Sequence, residues 1–485
     1  MKKRKIIAGI MAAILSIGMF GACGTKKEEN GVTEISWYLS GVKLDSSYDD
    51  VWNKLNEYLT EKYNMKLNVV LTDAGNFAQK MQMMNASRES YDLVFTSNWR
   101  NNYYTNIENG SLYDLTEILP KHAPKLYESL EDYVVDAAKV DGKIYAVPNW
   151  QVQARAMGVL IPEEALDASG YTMDQINSLE DLEGYYDAIT KARPDLVDVN
   201  TYAGGSWISA MANYGMMMVT QEGLPGAIYF DKEGKPEIIN QYETDEFMEF
   251  AKLVRSWVEK GYYPSVRTVR DKSNSTTLTD KGGFDNWKPG AAAEKSKDFK
   301  MVDKQISPAV LATESICAAM TGVSANSKHP EKAVEMMEIM YTDKYAFNLL
   351  CFGIEGVNYD KVGENTIKLK EESTYSMQDW AIGSVANSYI IEGKPETIWE
   401  DTKKFNESAI VSPLMGFTLD NSEISAELGN CETVVKEYID TIQFGLEDPE
   451  TIIPKFIEDL KVAGADVILE KVQSQIDVWW EANKE

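Results

Sequence analysis

Tryptophans set among amides and turn residues are the groups whose types and spacing offer chemistry. Trp99 is flanked by Asn98, Arg100, Asn101 and Asn102, and Trp150 stands beside Gln151 and Gln153. Trp207 follows Gly204-Gly205-Ser206, Trp287 ends the run Gly282 to Asn286, and Trp380 adjoins Asp379. An indole presents a flat face that stacks on the C–H face of a pyranose, while amides and carboxylates take its hydroxyls. Each of these indoles also has a reading as core packing, which is how Trp52, Trp257 and Trp479-Trp480 read, on helix faces.

Catalytic patterns are sparse. His122 and His329 are the only histidines and neither lies in an HExxH, so a histidine-based triad has little to draw on. GxSxG, GxxxxGK[ST] and GxGxxG are missing. The 76 acidic residues leave glycoside hydrolysis open, because it needs two carboxylates at a fixed separation. Asp195 to Gly204 fails the spacing of a calcium loop, so no metal or cofactor is expected. Of the four cysteines, Cys317 and Cys351 sit in apolar sequence and read, with Cys431, as thiols.

The elements that must position these groups follow from periodicity. Thr33 to Tyr38 alternates as a strand, a helix runs from about 49 to 63, and Lys66 to Leu71 is strand. Phe77 to Ala86 is helix and Tyr91 to Thr96 strand. This β-α-β-α-β order predicts a doubly wound sheet, with ligands outside the carboxyl ends of its strands. Those ends carry Leu39 to Ser47 and Ser97 to Asn102. Further strands are expected over Lys143 to Pro148 and Ser315 to Met320, helices over Pro330 to Tyr341, Cys431 to Phe444 and Ile453 to Lys461.

The chain opens with Lys2, Lys3, Arg4 and Lys5, then an apolar run from Ile6 to Phe20, a signal-peptide pattern too short to span a bilayer. Phe20-Gly21-Ala22-Cys23 resembles a bacterial lipobox. Residues 1–22 therefore read as a removed signal, Cys23 as a lipidated anchor and 23–32 as a tether, with the folded part outside the cell membrane. Without residues 1–22 the balance is 44 basic against 76 acidic residues, net −32. That field repels phosphates and makes nucleic acid an unsuitable partner.

Several segments carry a family resemblance. SYDLVFTSN at 90–98, DGKIYAVPN at 141–149 and MTGVSANSKHPEKAVEMMEIMYTD at 320–343 resemble extracellular solute-binding proteins of family 1, the receptors of carbohydrate ABC importers. NLLCFGIEGVNYD at 348–360, with Trp380 and a helical tail, resembles the Gram-positive lipoprotein branch with a DUF3502 domain. The resemblance implies a two-lobed α/β clamp, each lobe a doubly wound sheet flanked by helices. One lobe would take 33–147 and 307–360, the other 148–306 and 361–485, the last segment largely helical. It implies a non-catalytic receptor that captures an oligosaccharide and delivers it to permease subunits; the sequence does not speak to oligomeric state, and a monomer is assumed. Trp287 and Trp380 match positions where the family presents aromatics, Asp45 matches an acidic position facing the cleft, and Glu314 lies near the expected hinge. The ligand-binding set is thus Asp45, Asn98, Trp99, Trp150, Gln151, Trp207, Trp287, Glu314 and Trp380. An exported hydrolase, or the same fold serving a non-sugar solute or a sensor, is the alternative. Uronic acids are disfavoured by the net charge unless Arg100 or Arg155 overrides it locally.

Overall fold

Alternation in the first strand sets the first core. Thr33, Ile35, Trp37 and Leu39 point inward while Glu34, Ser36, Tyr38 and Ser40 are more exposed. The computed structural model describes residues 31–197, 206–221, 223–264, 278, 280–296 and 299–483. Its main strands are β1 (Thr33–Ser40), β2 (Met65–Thr72), β3 (Leu93–Thr96), β4 (Ala146–Pro148), β5 (Ala156–Pro162), β6 (Gly283–Trp287), β7 (Met301–Gln305) and β8 (Met320–Val323).

The first sheet has the order β2-β1-β3-β8-β4. β1 runs parallel to β2 and β3, and β8 runs antiparallel to β3 and β4. Helix Ser47–Tyr63 returns the chain from β1 to β2, burying Tyr48, Val51, Leu55 and Leu59 at helical spacing. Helix Phe77–Ala86 does the same between β2 and β3 through Phe77, Met81 and Met84. Two expected strands differ. Lys143 to Pro148 divides, because Lys143–Ile144 turns back to pair with Lys139–Val140. Ser315 to Met320 is not a strand: Thr313–Ile316 forms a helical turn and β8 begins at Met320.

The second sheet departs from the doubly wound pattern. Among the described residues it is β6-β5-β7, with β5 antiparallel to both neighbours. The physical reason is connectivity: β5 carries the chain in from the first sheet and the adjacent β7 carries it back. Gly158 in β5 has no room for a side chain, since a Cβ there would lie 2.6 Å from the Lys304 carbonyl oxygen and from the Trp287 ring. Helix Asp245–Glu259, capped by Thr244, buries Phe247, Phe250, Val254 and Trp257 behind this sheet. Helices Ser425–Gln443, Pro449–Ala463 and Ala465–Asn483 close the same core through Cys431, Phe456, Leu460 and Ile468.

Two large cores result. The first gathers 35–156, 309–352 and also Ile367, Tyr375, Ile382 and Phe405; the second gathers 157–284 and 414–476. The segment 361–407, assigned above to the second lobe, therefore packs on the first core, and only the residues after it belong to the second. Its small strands explain this: Thr366–Leu369 pairs with Tyr359–Lys361, itself anchored to the first core.

Three crossings join the cores side by side. Arg155 and Val310 exchange both backbone hydrogen bonds, at 2.9 and 2.8 Å. Val310–Leu311 pairs in parallel with Ile410–Val411. The buried Asn406 side chain fastens the first crossing: Oδ1 accepts from the Gln153 and Ala154 N–H groups at 2.9 and 3.0 Å, and Nδ2 donates to the Gln151 carbonyl at 2.8 Å. Cys317, Cys351 and Cys431 are buried free thiols. Among the described residues no helix is long and apolar enough to cross a membrane, and no cluster could hold a metal ion.

Candidate functional site

A cavity of about 790 Å³ lies between the two cores, at the hinge. That is within the range of small-molecule sites. Its first-core wall is polar and aromatic, with Asn98, Trp99, Asn102, Tyr104 and Glu314. Its second-core wall is largely apolar: Ile208, Met211, Met216 to Val219, Leu414 and Phe417. Arg155, Asn286 and Ser412 contribute from the hinge strands and crossings.

The loop after β3 holds the key groups. Ser97 Oγ accepts from the Arg100 N–H at 2.8 Å and donates to the Arg100 carbonyl at 2.9 Å. Asn101, with φ of 48°, takes the left-handed conformation its short amide side chain tolerates. Its Nδ2 donates to the Phe95 carbonyl at 2.8 Å, and its own carbonyl accepts from Thr96 Oγ1. Asn102 caps helix Tyr103–Glu108. The loop is thus fixed by its own side chains.

Trp99 is displayed by that loop. It is 53% exposed, so a ring face is available, yet its Nε1 donates to the Ala318 carbonyl at 2.8 Å. The Arg100 guanidinium sits 4.6 Å from its ring centre, and Trp380 lies 6.3 Å away at 37°. Phe95 backs both indoles, at 6.3 and 5.7 Å. Asn98 Nδ2 donates to the Glu314 carbonyl at 2.9 Å, which ties the helical turn Thr313–Ile316 to the Trp99 loop. Burial pushes the Tyr104 hydroxyl well above its ordinary pKa, so it stays a neutral donor and acceptor.

The structure brings Asn98, Trp99 and Glu314 together in the cavity, with Trp380 against Trp99. The other expected residues lie elsewhere. Trp207 is a correction: it is 0% exposed, packed on Phe247 at 5.1 Å and Phe250 at 5.3 Å. Successive residues on a helix point about 100° apart, so its neighbours Ile208 and Ser209 reach the cavity instead. Trp287 is likewise replaced by Asn286, because adjacent strand residues face opposite sides. Trp287 itself covers Gly158 and meets Phe405 at 5.3 Å.

Trp150 and Gln151 serve the first crossing. The Trp150 N–H donates to the Gly383 carbonyl and its own carbonyl accepts from Val385, while the Gln151 carbonyl takes Asn406 Nδ2. Asp45 is exposed and outside the cavity lining. It accepts from the Ser47 N–H at 2.8 Å and Thr374 Oγ1 at 2.5 Å, and hydrogen bonds from Ser47 and Thr374 lower its pKa. Cys23 lies outside the described residues. Met216-Met217-Met218, which line the cavity with Met211 as a methionine wall, were not singled out from the sequence.

Two α/β bodies joined by three adjacent crossings, with a half-polar cleft at the joint, define a two-lobed clamp of the kind that binds a solute between its lobes. Residues 413–481 match a family described as a domain of unknown function, DUF3502. The match begins beyond 348–360 and Trp380, so those segments are not part of it. The whole chain is similar to a carbohydrate ABC transporter substrate-binding protein of Streptococcus pneumoniae serotype 4, at 28% identity over 98% of both chains. The crystal structure of the N-glycan transport solute binding protein NgtS of Streptococcus pneumoniae aligns with a TM-score of 0.80 and 26% identity, covering 93% of this chain and all of that one. The structure of NgtS in complex with Man5GlcNAc aligns at 0.63, with 26% identity and the same coverage. An extracellular solute-binding protein of Bifidobacterium longum subsp. infantis shares the fold, with a TM-score of 0.63 at 14% identity over 92% of this chain and 98% of its own.

Proposed function

We propose that this protein is the extracellular substrate-binding component of an ABC importer, capturing an oligosaccharide between its lobes and handing it to the permease. The observation that carries the reading is the fixed, half-exposed Trp99 on the polar wall of an interlobe cleft. One sugar face stacks on Trp99, and hydroxyls meet Asn102, Tyr104, Ser209, Asn286 and Glu314. Closure of the lobes brings the methionine wall onto the opposite face, where thioethers adapt to irregular shapes. Full-length similarity to carbohydrate and N-glycan transport proteins supports the substrate class. Of the described residues lining the cavity, Glu314 is the one carboxylate, and a hydrolase needs a pair. The mature chain starts at a lipid-modified Cys23, so Cys23→Ser moves the protein from the membrane fraction to the medium.

A thermal-shift screen against neutral and acidic oligosaccharides, including the Man5GlcNAc bound by NgtS, tests the reading. A ligand at a hundred times its Kd stabilises the folded state by about 2.7 kcal/mol. A shift with the sugar recovered intact is expected. Cleavage of the sugar, or no shift with any glycan, overturns it.

A further inference from the structure

Arg155 is the one cation among the described residues lining the cleft. Arg155 and Glu314 are the only charged residues among the described ones lining the cavity. Arg155 is exposed, and among the described residues it makes no ion pair and no side-chain hydrogen bond. This is unusual in a chain of net charge −28, where acids outnumber bases and most cleft-side cations would find a partner. Its backbone, by contrast, is held firmly in the hinge: it exchanges both hydrogen bonds with Val310, whose own neighbour is the Ile410–Val411 crossing. Ser412, also in the lining, is held to the same ladder by its N–H bond to the Leu311 carbonyl at 2.8 Å. A guanidinium rooted where all three crossings meet moves little when the lobes close, so it keeps its position in the open and the loaded forms. Arginine's planar fork suits a carboxylate, which takes two parallel N–H bonds. Asn286 and Ser412 add neutral donors to the same end of the cleft.

We propose that Arg155 makes the cleft selective for an acidic oligosaccharide, whose sugar carboxylate docks on its guanidinium at the hinge. This rests on the carbohydrate reading and sharpens it: Trp99 selects a ring, and Arg155 selects the charged unit beside it. Glu314 sets the opposite sign on the first-core wall, so the acidic unit binds at the Arg155 end and a neutral one near Trp99.

The test is isothermal titration with two matched pairs, a sialylated oligosaccharide with its desialylated form and a uronate-terminated one with its hexose-terminated form. The acidic member of at least one pair binds tenfold or more tightly than its neutral partner. Arg155→Gln abolishes that preference by weakening the acidic member of the pair far more than its neutral partner, with Tm little changed because the substitution spares the backbone ladder; Arg155→Lys retains part of the preference. Equal affinities within both pairs, or a preference that survives Arg155→Gln, overturn the inference and leave the carbohydrate reading standing. Failure of all four sugars to bind overturns the inference, and the thermal-shift screen then decides the carbohydrate reading separately.

Discussion

At the residue scale, exposure separates two tryptophans that look alike in sequence. Trp99 and Trp207 both follow polar or glycine-rich turns, but one is 53% exposed and the other 0%. Trp99→Ala therefore weakens oligosaccharide binding tenfold or more with little change in Tm, measured by titration and thermal melting. Trp207→Ala opens a void in the second core and costs about 3–5 kcal/mol in urea unfolding. Asn98 and Trp99 line the cavity just beyond β3, where the end of a strongly periodic strand marks a cleft-side loop in sequence; Glu314 lines it from the helical turn Thr313–Ile316, not from the edge of the strand expected there. Asp45, Trp150, Gln151 and Trp287 were not placed correctly, because their partners Thr374, Gly383, Asn406 and Phe405 come from far along the chain. No local pattern records such contacts.

At the element scale, caps and crossings carry the predictions. Asp343 caps helix Lys344–Phe352, accepting from the Tyr345 and Ala346 N–H groups at 3.0 Å each, and gathers Lys62 Nζ at 2.8 Å, Tyr58 at 2.7 Å and Tyr63 at 2.6 Å. Burial opposes the charge, but these donors overcome it and hold the carboxyl at about 2, below the ordinary 3.8. A carboxyl whose folded pKa is depressed adds stability above its unfolded pKa and loses it as pH falls through the folded one. The advantage of the native chain over Asp343→Asn is thus about 1–2 kcal/mol at pH 7, after screening at the half-exposed Lys62, and fades from pH 4 towards 2 in urea melts. Asn406→Ala strips three hydrogen bonds from the first crossing; it lowers stability by about 1–3 kcal/mol and alters ligand affinity, although Asn406 lies outside the cleft lining. β1, helix Ser47–Tyr63, β2 and helix Phe77–Ala86 were readable because their burial follows periods of 2 and 3.6. The turn Thr313–Ile316 was not, since a short apolar run fits strand or helix equally.

At the scale of the whole molecule, the three crossings decide what the fold can do. They lie side by side, so the two cores can rotate about one line while each keeps its packing. Ligand bridging the polar and methionine walls favours the closed form, which predicts a smaller radius of gyration in small-angle scattering on loading. The two-lobed plan was legible from the order of elements and the family resemblance. The return of 361–407 to the first core was not, because it depends on which surface was left uncovered.

Titration of the purified protein and its Trp99→Ala variant with intact oligosaccharides tests the central claim most directly. The account predicts saturable one-to-one binding by the native protein, recovery of the glycan uncleaved, and at least tenfold weaker binding by the variant. Equal binding by both proteins, or no oligosaccharide bound by either, would contradict it.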